Sequence, residues 1–411
     1  MKRVLVATYG GAHVAVAIPL HGALIAAGLQ PVMLGLTTAA DTLRRHGIAA
    51  KRFLDYVDID DPQIRRWGEY LCGFHHREGI GISREESMAY LGASMADLVQ
   101  EQGEAAALDQ YRQLGLNALL PVARLRHILQ AEQIDGVIAT DSPRAERAAL
   151  NAAAQLGLPS VCVATSFPQI GLHYLRRGDN GAMMCVLNER VRDQLIAAGR
   201  APGSVAVTGN PAFDALVMPE AQTLRSSLRA GHGIGAGEWV VLWAEQPEPA
   251  NPALPGLMRE RLAQICRAQG WRLMVRLHPS SQAGVAVDLP PEVLMSPRTE
   301  TVRDALLQSD AVVTFTSTIG FEALVLGKPV VVAAVSQYSS FVDYRETDGV
   351  WVVDSIDAVE QALAGFFRGD AKARQLAAYR ATMPRTGRAA GTIVECLLGQ
   401  PAASPMHSLS S

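Results

Sequence analysis

The chain has 411 residues, more than one ordinary core holds, and this length predicts two domains of about 150 to 200 residues each. Hydrophobic residues make up 49% of it and charged residues 19%, a composition that excludes a disordered chain. The 37 basic and 40 acidic side chains give a formal net charge of -3, which disfavours nucleic acid as the main partner.

Cysteine usage and the N-terminal segment predict where the protein works. The five cysteines include no Cys-x-x-Cys pair, and an odd number makes a poor disulfide framework, so we expect a reducing compartment. The opening MKRVLVATYGG has an apolar run too short for a signal peptide. We therefore expect a cytoplasmic protein and leave open a peripheral contact at the inner face of the membrane.

Apolar runs of strand length alternate with helical patterns along most of the chain, which is typical of βαβ units and parallel sheets. Strands are predicted at 3–7, 31–34, 136–139, 160–164, 183–187 and 205–208, and then at 239–244, 272–277, 311–315, 329–333 and 350–353. The fold class is thus α/β with two doubly wound domains. We predict an N-terminal domain at 1–215, a linker at 216–237, a C-terminal domain with final helices at 238–400 and a flexible tail at 401–411.

One connection is too long for a simple crossover. Residues 58–134 are mostly helical in pattern, and they predict a helical insertion in the first domain. Such an insertion can shape a substrate pocket or serve only as extra packing, and the sequence leaves both open.

The first chemical motif is the loop after the first strand, where Gly10 and Gly11 precede His13. Ligands of open α/β sheets bind at the carboxyl ends of strands, and glycines there let the backbone approach a ligand. His13 is therefore a candidate catalytic residue, although it could instead only cap a helix. The loop is not a G-x-G-x-x-G fingerprint, which disfavours a nicotinamide dinucleotide.

The second motif follows the predicted strand 136–139. Capping explains Ser142 and Pro143 but leaves Asp141 without a role. A carboxylate at this edge can orient a histidine and stabilise its imidazolium. We therefore predict Asp141 as the partner of His13.

Two motifs in the second half predict a phosphate site. His278 and Ser280 follow the strand 272–277, and the turn Thr316-Ser317-Thr318 runs into a helix that carries Gly320 and Glu322. Hydroxyls and free N–H groups at a helix start bind anions, and a carboxylate one turn later can accept both hydroxyls of a ribose. The alternatives are a loop histidine at His278 and a capping-box role for Glu322.

With these residues in place, the sequence resembles glycosyltransferases of the GT-B fold, in which two Rossmann-like domains face a central cleft. GGAHVAVAIPLHGALIAAGLQPVMLGL is similar to the N-terminal segment of the peptidoglycan N-acetylglucosaminyltransferase and of glucuronosyltransferase-like enzymes, and His13 falls on the general base of the latter group. The run from Leu187 to Asp214 is similar to the segment that closes the N-terminal domain in GT-B enzymes and in the related UDP-N-acetylglucosamine 2-epimerases. STIGFEALVLGKPVV resembles their donor-site helix, which implies that Glu322 holds the ribose.

The His-Pro pair at 278–279 and the Ser-Thr pair at 317–318 also resemble motifs of bacterial sialyl-, Kdo- and glycerophosphotransferases, which bind a cytidine nucleotide there. The HRREN-like string of the epimerases is missing; Glu245 and Gln246 stand in its place. We expect these two residues, together with Gly10, Gly11 and Gln337, on the cleft or acceptor side.

The resemblance and the motifs together predict a metal-independent glycosyltransferase of bacterial surface-glycan or glycoconjugate synthesis, with no cofactor. Its donor is expected to be a UDP- or CMP-linked sugar, and its acceptor a glycan, a lipid-linked molecule or a small molecule. One alternative is a sugar-nucleotide epimerase that uses Asp141, Glu146 and Glu245. Another is a nucleotide-sugar binding protein without catalysis.

Overall fold

The computed structural model describes residues 1–79, 81–165, 171–214, 216, 221–278, 289–297, 299–339, 344–345, 347, 349–368, 373–374, 376–377, 379, 381 and 387–400. The chain forms two compact units. One comprises residues 1–214 and 384–411, and the other comprises residues 215–383. The predicted tail 401–411 lies outside the described residues.

The first unit contains a six-stranded sheet in the order β2-β1-β3-β4-β5-β6, and all of its pairings are parallel. Its strands are near-continuous apolar runs because helices cover both faces of a parallel sheet. They are β1 Arg3–Thr8, β2 Gln30–Gly35, β3 Gly136–Thr140, β4 Ser160–Val163, β5 Met183–Val186 and β6 Val205–Val207.

Helices connect these strands on both faces of the sheet. They are α1 Ala12–Ala26, α2 Ala39–Arg45, α3 Pro62–His75, α4 Arg84–Gln102, α5 Glu104–Leu114, α6 Val122–Ala131, α7 Ala145–Gln155, α8 Leu172–Leu175, α9 Glu189–Ala197 and α10 Pro211–Asp214, with 3-10 turns at Phe53–Tyr56, Gly115–Ala118 and Pro202–Ser204. Helix α7 starts only at Ala145 with Arg144 as its N-cap, so Ser142 and Pro143 are not the N-cap and first helical residue that the sequence predicted.

The predicted insertion is a helical subdomain between β2 and β3, built from α3 to α6. Helices α3 and α4 cross through glycines: a Cβ at Gly92 would lie 2.2 Å from the Ile64 carbonyl oxygen, and one at Gly68 would lie 2.9 Å from that of Met88. Helices α3, α4 and α5 also form a small core of their own around Trp67, Leu71 and Met95.

The last described helix, Ala389–Leu398, belongs to the first unit, although we predicted it in the C-terminal domain. Its apolar face, with Ile393 and Leu397, packs into the core beneath α1. At its end, the Gln400 side chain accepts from the Ser160 amide and donates to the Ser160 carbonyl oxygen. Helical periodicity showed an apolar face here but not which sheet it covers.

The second unit contains a parallel sheet in the order β12-β11-β10-β7-β8-β9. Its strands are β7 Val240–Ala244, β8 Arg272–Arg276, β9 Leu294–Met295, β10 Ala311–Thr314, β11 Val330–Ala333 and β12 Val350–Val353. Its helices are α11 Ala221–Gly231, α12 Leu254–Gln269, α13 Val302–Gln308, α14 Ile319–Val325 and α15 Val359–Arg368. The two-residue edge strand β9 was not predicted.

Helix α11 is part of the second unit rather than of a linker, which corrects the predicted segment 216–237. Arg225 and Arg229 both bind the Asp310 carboxylate, at 2.6 and 3.2 Å. Asp310 in turn accepts from the Val240 amide where the strand β7 begins. Because all three side chains are largely buried, these ion pairs fix the helix to the sheet.

Among the helices in the described residues, none has the length and apolar character needed to cross a membrane.

The crossing of α3 and α4 predicts that Gly92→Ala destabilises the protein. The added Cβ must push the two helices apart, and overpacking of this kind costs about 1 to 3 kcal/mol. Gly73→Ala in α3 is the matched control, since its Cβ would meet nothing within 4 Å and alanine stabilises a helix by roughly 0.5 to 1 kcal/mol. Chemical denaturation followed by circular dichroism measures both. A Gly92→Ala protein as stable as the parent contradicts this packing.

Candidate functional site

The strand order of the first sheet has its topological switch point between β1 and β3. Ligands of open α/β sheets bind outside the carboxyl ends of the strands at such a point. Gly10 and Gly11 lie in the loop after β1. A Cβ on Gly10 would lie 2.0 Å from the Thr38 hydroxyl oxygen, and Gly11 has a φ of 69°. The two glycines therefore let this tight loop form and bring His13 into the first turn of α1.

His13 begins a chain of hydrogen bonds across this switch point. Its Nδ1 lies 2.6 Å from the Thr140 hydroxyl at the end of β3, and that hydroxyl donates to the Glu146 carboxylate at 2.6 Å. Since the Thr140 proton is directed to Glu146, the Thr140 oxygen accepts from Nδ1–H. This arrangement fixes the tautomer and leaves Nε2 as the ring nitrogen whose protonation can change.

Glu146 is fully buried, and its carboxylate also accepts from two backbone amides, Tyr9 at 2.7 Å and Ser142 at 2.9 Å. It lies 3.3 Å from His13 Nδ1. Burial lowers the pKa of His13, but the Glu146 carboxylate, with a smaller contribution from Asp141, outweighs burial and raises the pKa from 6.5 to about 9. The imidazole is therefore mostly protonated at neutral pH, with about one molecule in a hundred neutral at pH 7.

The partner that we predicted for His13, Asp141, does not contact it directly. Both Asp141 oxygens are taken by Thr165, one by its backbone amide at 3.1 Å and the other by its hydroxyl at 2.8 Å. Burial raises the pKa of Asp141, while His13 and Thr165 oppose the rise. The correction has a simple geometric reason: the turn after β3 directs Asp141 toward β4, and the first turn of α7 directs Glu146 back to α1.

Sequence reasoning gave Glu146 only a place among the epimerase carboxylates. The signal that could have found its role was a glutamate in the first turn of a helix directly after a strand that ends in threonine. Only the pairing of β1 with β3 shows that His13, more than 120 residues earlier in the chain, lies next to it.

The second sheet has its switch point between β7 and β10, and Gln246 lies there. Its side chain accepts from the Thr316 amide at 3.0 Å and donates to the Thr316 hydroxyl at 2.7 Å. Gln246 thus sets the turn that leads to Ser317 and Thr318. The neighbouring Glu245 forms an ion pair with Arg259 at 2.8 Å and accepts from the Trp243 indole at 3.0 Å. These contacts give Glu245 a structural role, and its predicted place in the cleft stays a prediction.

Tyr344 contacts the turn at Ser317 and Thr318, which we predicted to bind phosphate. Its hydroxyl donates to the Ser317 carbonyl oxygen at 2.6 Å. The same hydroxyl would lie 2.5 Å from a Cβ on Gly320, so the structure gives that glycine a packing role. Thr318 is the N-cap of α14 and makes no side-chain capping hydrogen bond. Its hydroxyl is therefore not used by the helix.

Glu322 lies one turn into α14 and is largely withdrawn from solvent. Burial raises the pKa of its carboxyl to about 7, and the Arg276 guanidinium opposes the rise. A capping box with Thr318 is not present, so this alternative is wrong. The carboxyl is protonated in a large fraction of molecules near neutral pH and can both donate and accept a hydrogen bond there.

The remaining predicted residues lie at loop positions. His278 is exposed two residues after β8, and Gln337 is exposed after β11. Ser280 lies outside the described residues. No group of three or more His, Cys, Asp or Glu side chains in the described part of the chain is arranged to hold a metal ion.

Comparison with protein families gives a match over residues 198–353 to the model described as CDP-Glycerol:Poly(glycerophosphate) glycerophosphotransferase. The matched segment includes Gln246, His278 and Glu322, and it spans less than half of the chain. The prediction of a transferase agrees with this match. No curated protein matches the chain significantly in sequence.

Solved structures with similar folds cover nearly the whole chain. The UDP-GlcNAc 2-epimerase from Neisseria meningitidis is 15% identical, with a TM-score of 0.62 over 97% of this chain and 100% of its own. The calicheamicin glycosyltransferase is 16% identical, with a TM-score of 0.60 over 98% and 99%. MurG from Acinetobacter baumannii is 13% identical, with a TM-score of 0.56 over 97% and 100%. At these identities the likeness shows the fold alone, and it confirms the predicted pair of Rossmann-like domains of the GT-B class.

The contact with Glu146 predicts what the substitution Glu146→Gln does to His13. Without the carboxylate, burial dominates, and the pKa of His13 should fall from about 9 toward or below its ordinary value of 6.5. Titration of the imidazole signals by NMR measures the change. Asp141→Asn is the matched control and should lower the pKa less. A pKa that stays unchanged in Glu146→Gln contradicts the assignment of Glu146 as the partner.

Glu322 predicts a pH dependence of stability. Its pKa is about 7 in the folded protein against an ordinary 4.5, so between these values the folded state holds a proton that the unfolded state releases. Raising the pH through this window therefore favours unfolding, by up to roughly 3 kcal/mol from this group. Glu322→Gln should remove that loss, and denaturation at several pH values measures it. Glu260→Gln, at an exposed position of α12, controls for a lost surface charge. A difference between Glu322→Gln and the parent that does not grow with pH contradicts the burial of this carboxyl.

Proposed function

We propose that the protein is a metal-independent glycosyltransferase that moves a sugar from a nucleotide-sugar to an acceptor hydroxyl in the cytoplasm, without a further cofactor. Its C-terminal unit would bind the donor and its N-terminal unit the acceptor. The observation that carries the proposal is the chain from His13 through Thr140 to Glu146, which presents Nε2 at the switch point of a Rossmann-like sheet. Such a chain is the arrangement that a general base needs.

In the proposed reaction the neutral form of His13 removes the proton of the acceptor hydroxyl through Nε2. The acceptor oxygen forms a bond to the anomeric carbon, the bond from that carbon to the donor phosphate breaks, and the nucleotide leaves with the electron pair. The imidazolium that forms keeps its Nδ1–H on Thr140, and the Glu146 carboxylate, 3.3 Å from Nδ1, stabilises its charge. Because only the neutral imidazole acts, the rate should rise with pH until about 9.

Support for the donor end comes from the second switch point. We propose that His278, Ser280, Ser317 and Thr318 stabilise the phosphate charge that develops as the donor bond breaks. Gln246 would act as a positioning residue because it holds the turn at Thr316. Glu322 would meet the ribose hydroxyls with a carboxyl that is not held in an ion pair among the described residues. The guanidinium that lowers its pKa, that of Arg276, donates to the Ser296 hydroxyl and to the Glu300 carbonyl oxygen.

The family match favours a second candidate, transfer of a glycerophosphate unit from a cytidine-activated donor. The same His13 would remove the acceptor proton, but the acceptor oxygen would then attack phosphorus, and the nucleoside monophosphate would leave.

A thermal-shift screen against UDP, CMP, CDP, GDP and dTDP compounds separates the donors, since a ligand at a hundred times its Kd stabilises the folded protein by about 2.7 kcal/mol. Transfer of label from the sugar or from the glycerol then distinguishes the two reactions. No shift with any nucleotide contradicts the donor site itself.

His13→Ala should lower kcat by about 10²- to 10⁴-fold, the usual contribution of a positioned general base. The Kd of the donor should stay nearly unchanged, since His13 belongs to the N-terminal unit and not to the proposed donor site. Label transfer and calorimetric titration of the nucleotide measure the two quantities. His21→Ala, two turns later on the same helix, is the matched control. Full activity of His13→Ala would contradict the proposed role of His13 as general base.

A further inference from the structure

Arg144 lies between β3 and α7, at the same sheet edge as His13. The central carbon of its guanidinium is 5.6 Å from the ring centroid of Tyr9 and 6.0 Å from that of Tyr90. The hydroxyl oxygens of these two tyrosines are 3.4 Å apart. The rings are thus fixed relative to each other, and Arg144 lies against both through cation–π contacts.

Among the described residues no acceptor takes a hydrogen bond from Arg144, and none of its nitrogens is buried without a partner. The five N–H groups of this half-buried side chain therefore still reach solvent. Two half-buried arginines elsewhere in the first and second units differ: Arg124 bonds to Asp97 at 2.8 Å, and Arg259 bonds to Glu245 at the same distance. Arg147 also has no hydrogen bond within the described part of the chain, but its Nε is buried.

The carboxylates nearest to Arg144 in the chain are already engaged. Glu146 accepts from the Tyr9 amide, the Thr140 hydroxyl and the Ser142 amide, and Asp141 accepts from Thr165. Arg144 is therefore a positioned cation without a described internal counter-ion. A planar guanidinium with its N–H groups open to solvent fits a phosphate, which it can bind through two parallel hydrogen bonds.

We propose that Arg144, held on the rings of Tyr9 and Tyr90, binds a phosphate group of the acceptor. This inference rests on the proposed function, because it assigns the acceptor's chemical class: a hydroxyl compound that carries a phosphate ester. Tyr9 also contacts His13 edge to face, with ring centroids 6.4 Å apart. Tyr9 thus contacts both the proposed general base and the guanidinium proposed to bind the phosphate.

The helical insertion also contributes to this proposed phosphate site. Tyr90 belongs to α4 and packs edge to face on Phe53, with ring centroids 5.4 Å apart. The insertion therefore supplies one of the two rings that hold the guanidinium.

Arginine-selective labelling with phenylglyoxal, located by mass spectrometry, tests the site on the unaltered full chain. Inorganic phosphate should slow the labelling of Arg144 at least tenfold, since a charge-assisted pair of hydrogen bonds is involved. The internal control is Arg147, three residues later, which lies over the Tyr174 ring at 5.4 Å and should react equally with and without phosphate. Vesicles of phosphatidylglycerol form a second arm.

Protection by inorganic phosphate assigns a soluble phosphate ester, and protection by vesicles alone assigns a lipid headgroup. Protection by neither overturns the proposal, as does equal protection of Arg147. A binding titration adds the variants: Arg144→Gln should weaken phosphate binding at least tenfold and Arg144→Lys less, while unchanged binding to Arg144→Gln overturns the site.

The labelling needs neither donor nor turnover, so its outcome is separate from that of the transfer assays. A protected Arg144 in a protein that transfers nothing would reject the proposed function and keep the anion site. An unprotected Arg144 in a transferase that depends on His13 would reject this inference alone.

Discussion

The buried Glu146 carboxylate is the interaction on which the first unit's candidate site depends. Moving a carboxylate out of water costs several kcal/mol unless hydrogen bonds replace the solvent, and here two amides and a hydroxyl replace it. Those donors come from the loop after β1, the end of β3 and the turn before α7. One carboxylate therefore joins the loop after β1 to the connection between β3 and α7, 137 residues later in the chain. The loop that carries His13 is held in place because the buried charge must be satisfied by these donors.

The same carboxylate sets the chemistry of His13 and imposes a compromise on it. A negative charge 3.3 Å from Nδ1 stabilises the imidazolium, which helps a base after it has taken a proton but reduces the neutral fraction before it does so. Thr140 moderates this conflict, because it occupies Nδ1 with a neutral hydroxyl and keeps Nε2 directed away from the carboxylate. His13 thus holds its proton firmly near neutral pH, and alkaline conditions release it.

Local patterns predicted the sheets well and the contacts between their ends poorly. The eleven predicted strands all form, because runs such as VLVA and VVVA are buried on both faces, and only the two-residue β9 has too little sequence to show a pattern. His13 and Glu322 could be singled out because they follow strands at carboxyl ends. Three features could not be predicted in this way: the contact of Glu146 with His13, the packing of Tyr344 against Gly320, and the unit to which the helix Ala389–Leu398 belongs. Each of them depends on which segments of the chain pack together. Periodicity gives the face of an element and leaves its neighbour undetermined.

The two switch points use opposite electrostatic designs on similar sheets. In the first unit, a histidine with a raised pKa, an arginine open to solvent and a fully buried carboxylate surround Tyr9, so charge is concentrated there. In the second unit, the side-chain amide of Gln246 holds Thr316 at the corresponding point. Burial raises the pKa of Glu322 to about 7, so a large fraction of its carboxyl groups is uncharged near neutral pH. The charges of the first unit can stabilise the imidazolium that forms when His13 takes up a proton, whereas neutral donors and acceptors suit the hydroxyls and amides of a nucleoside. This contrast supports the proposal that proton transfer belongs to the first unit and nucleotide binding to the second.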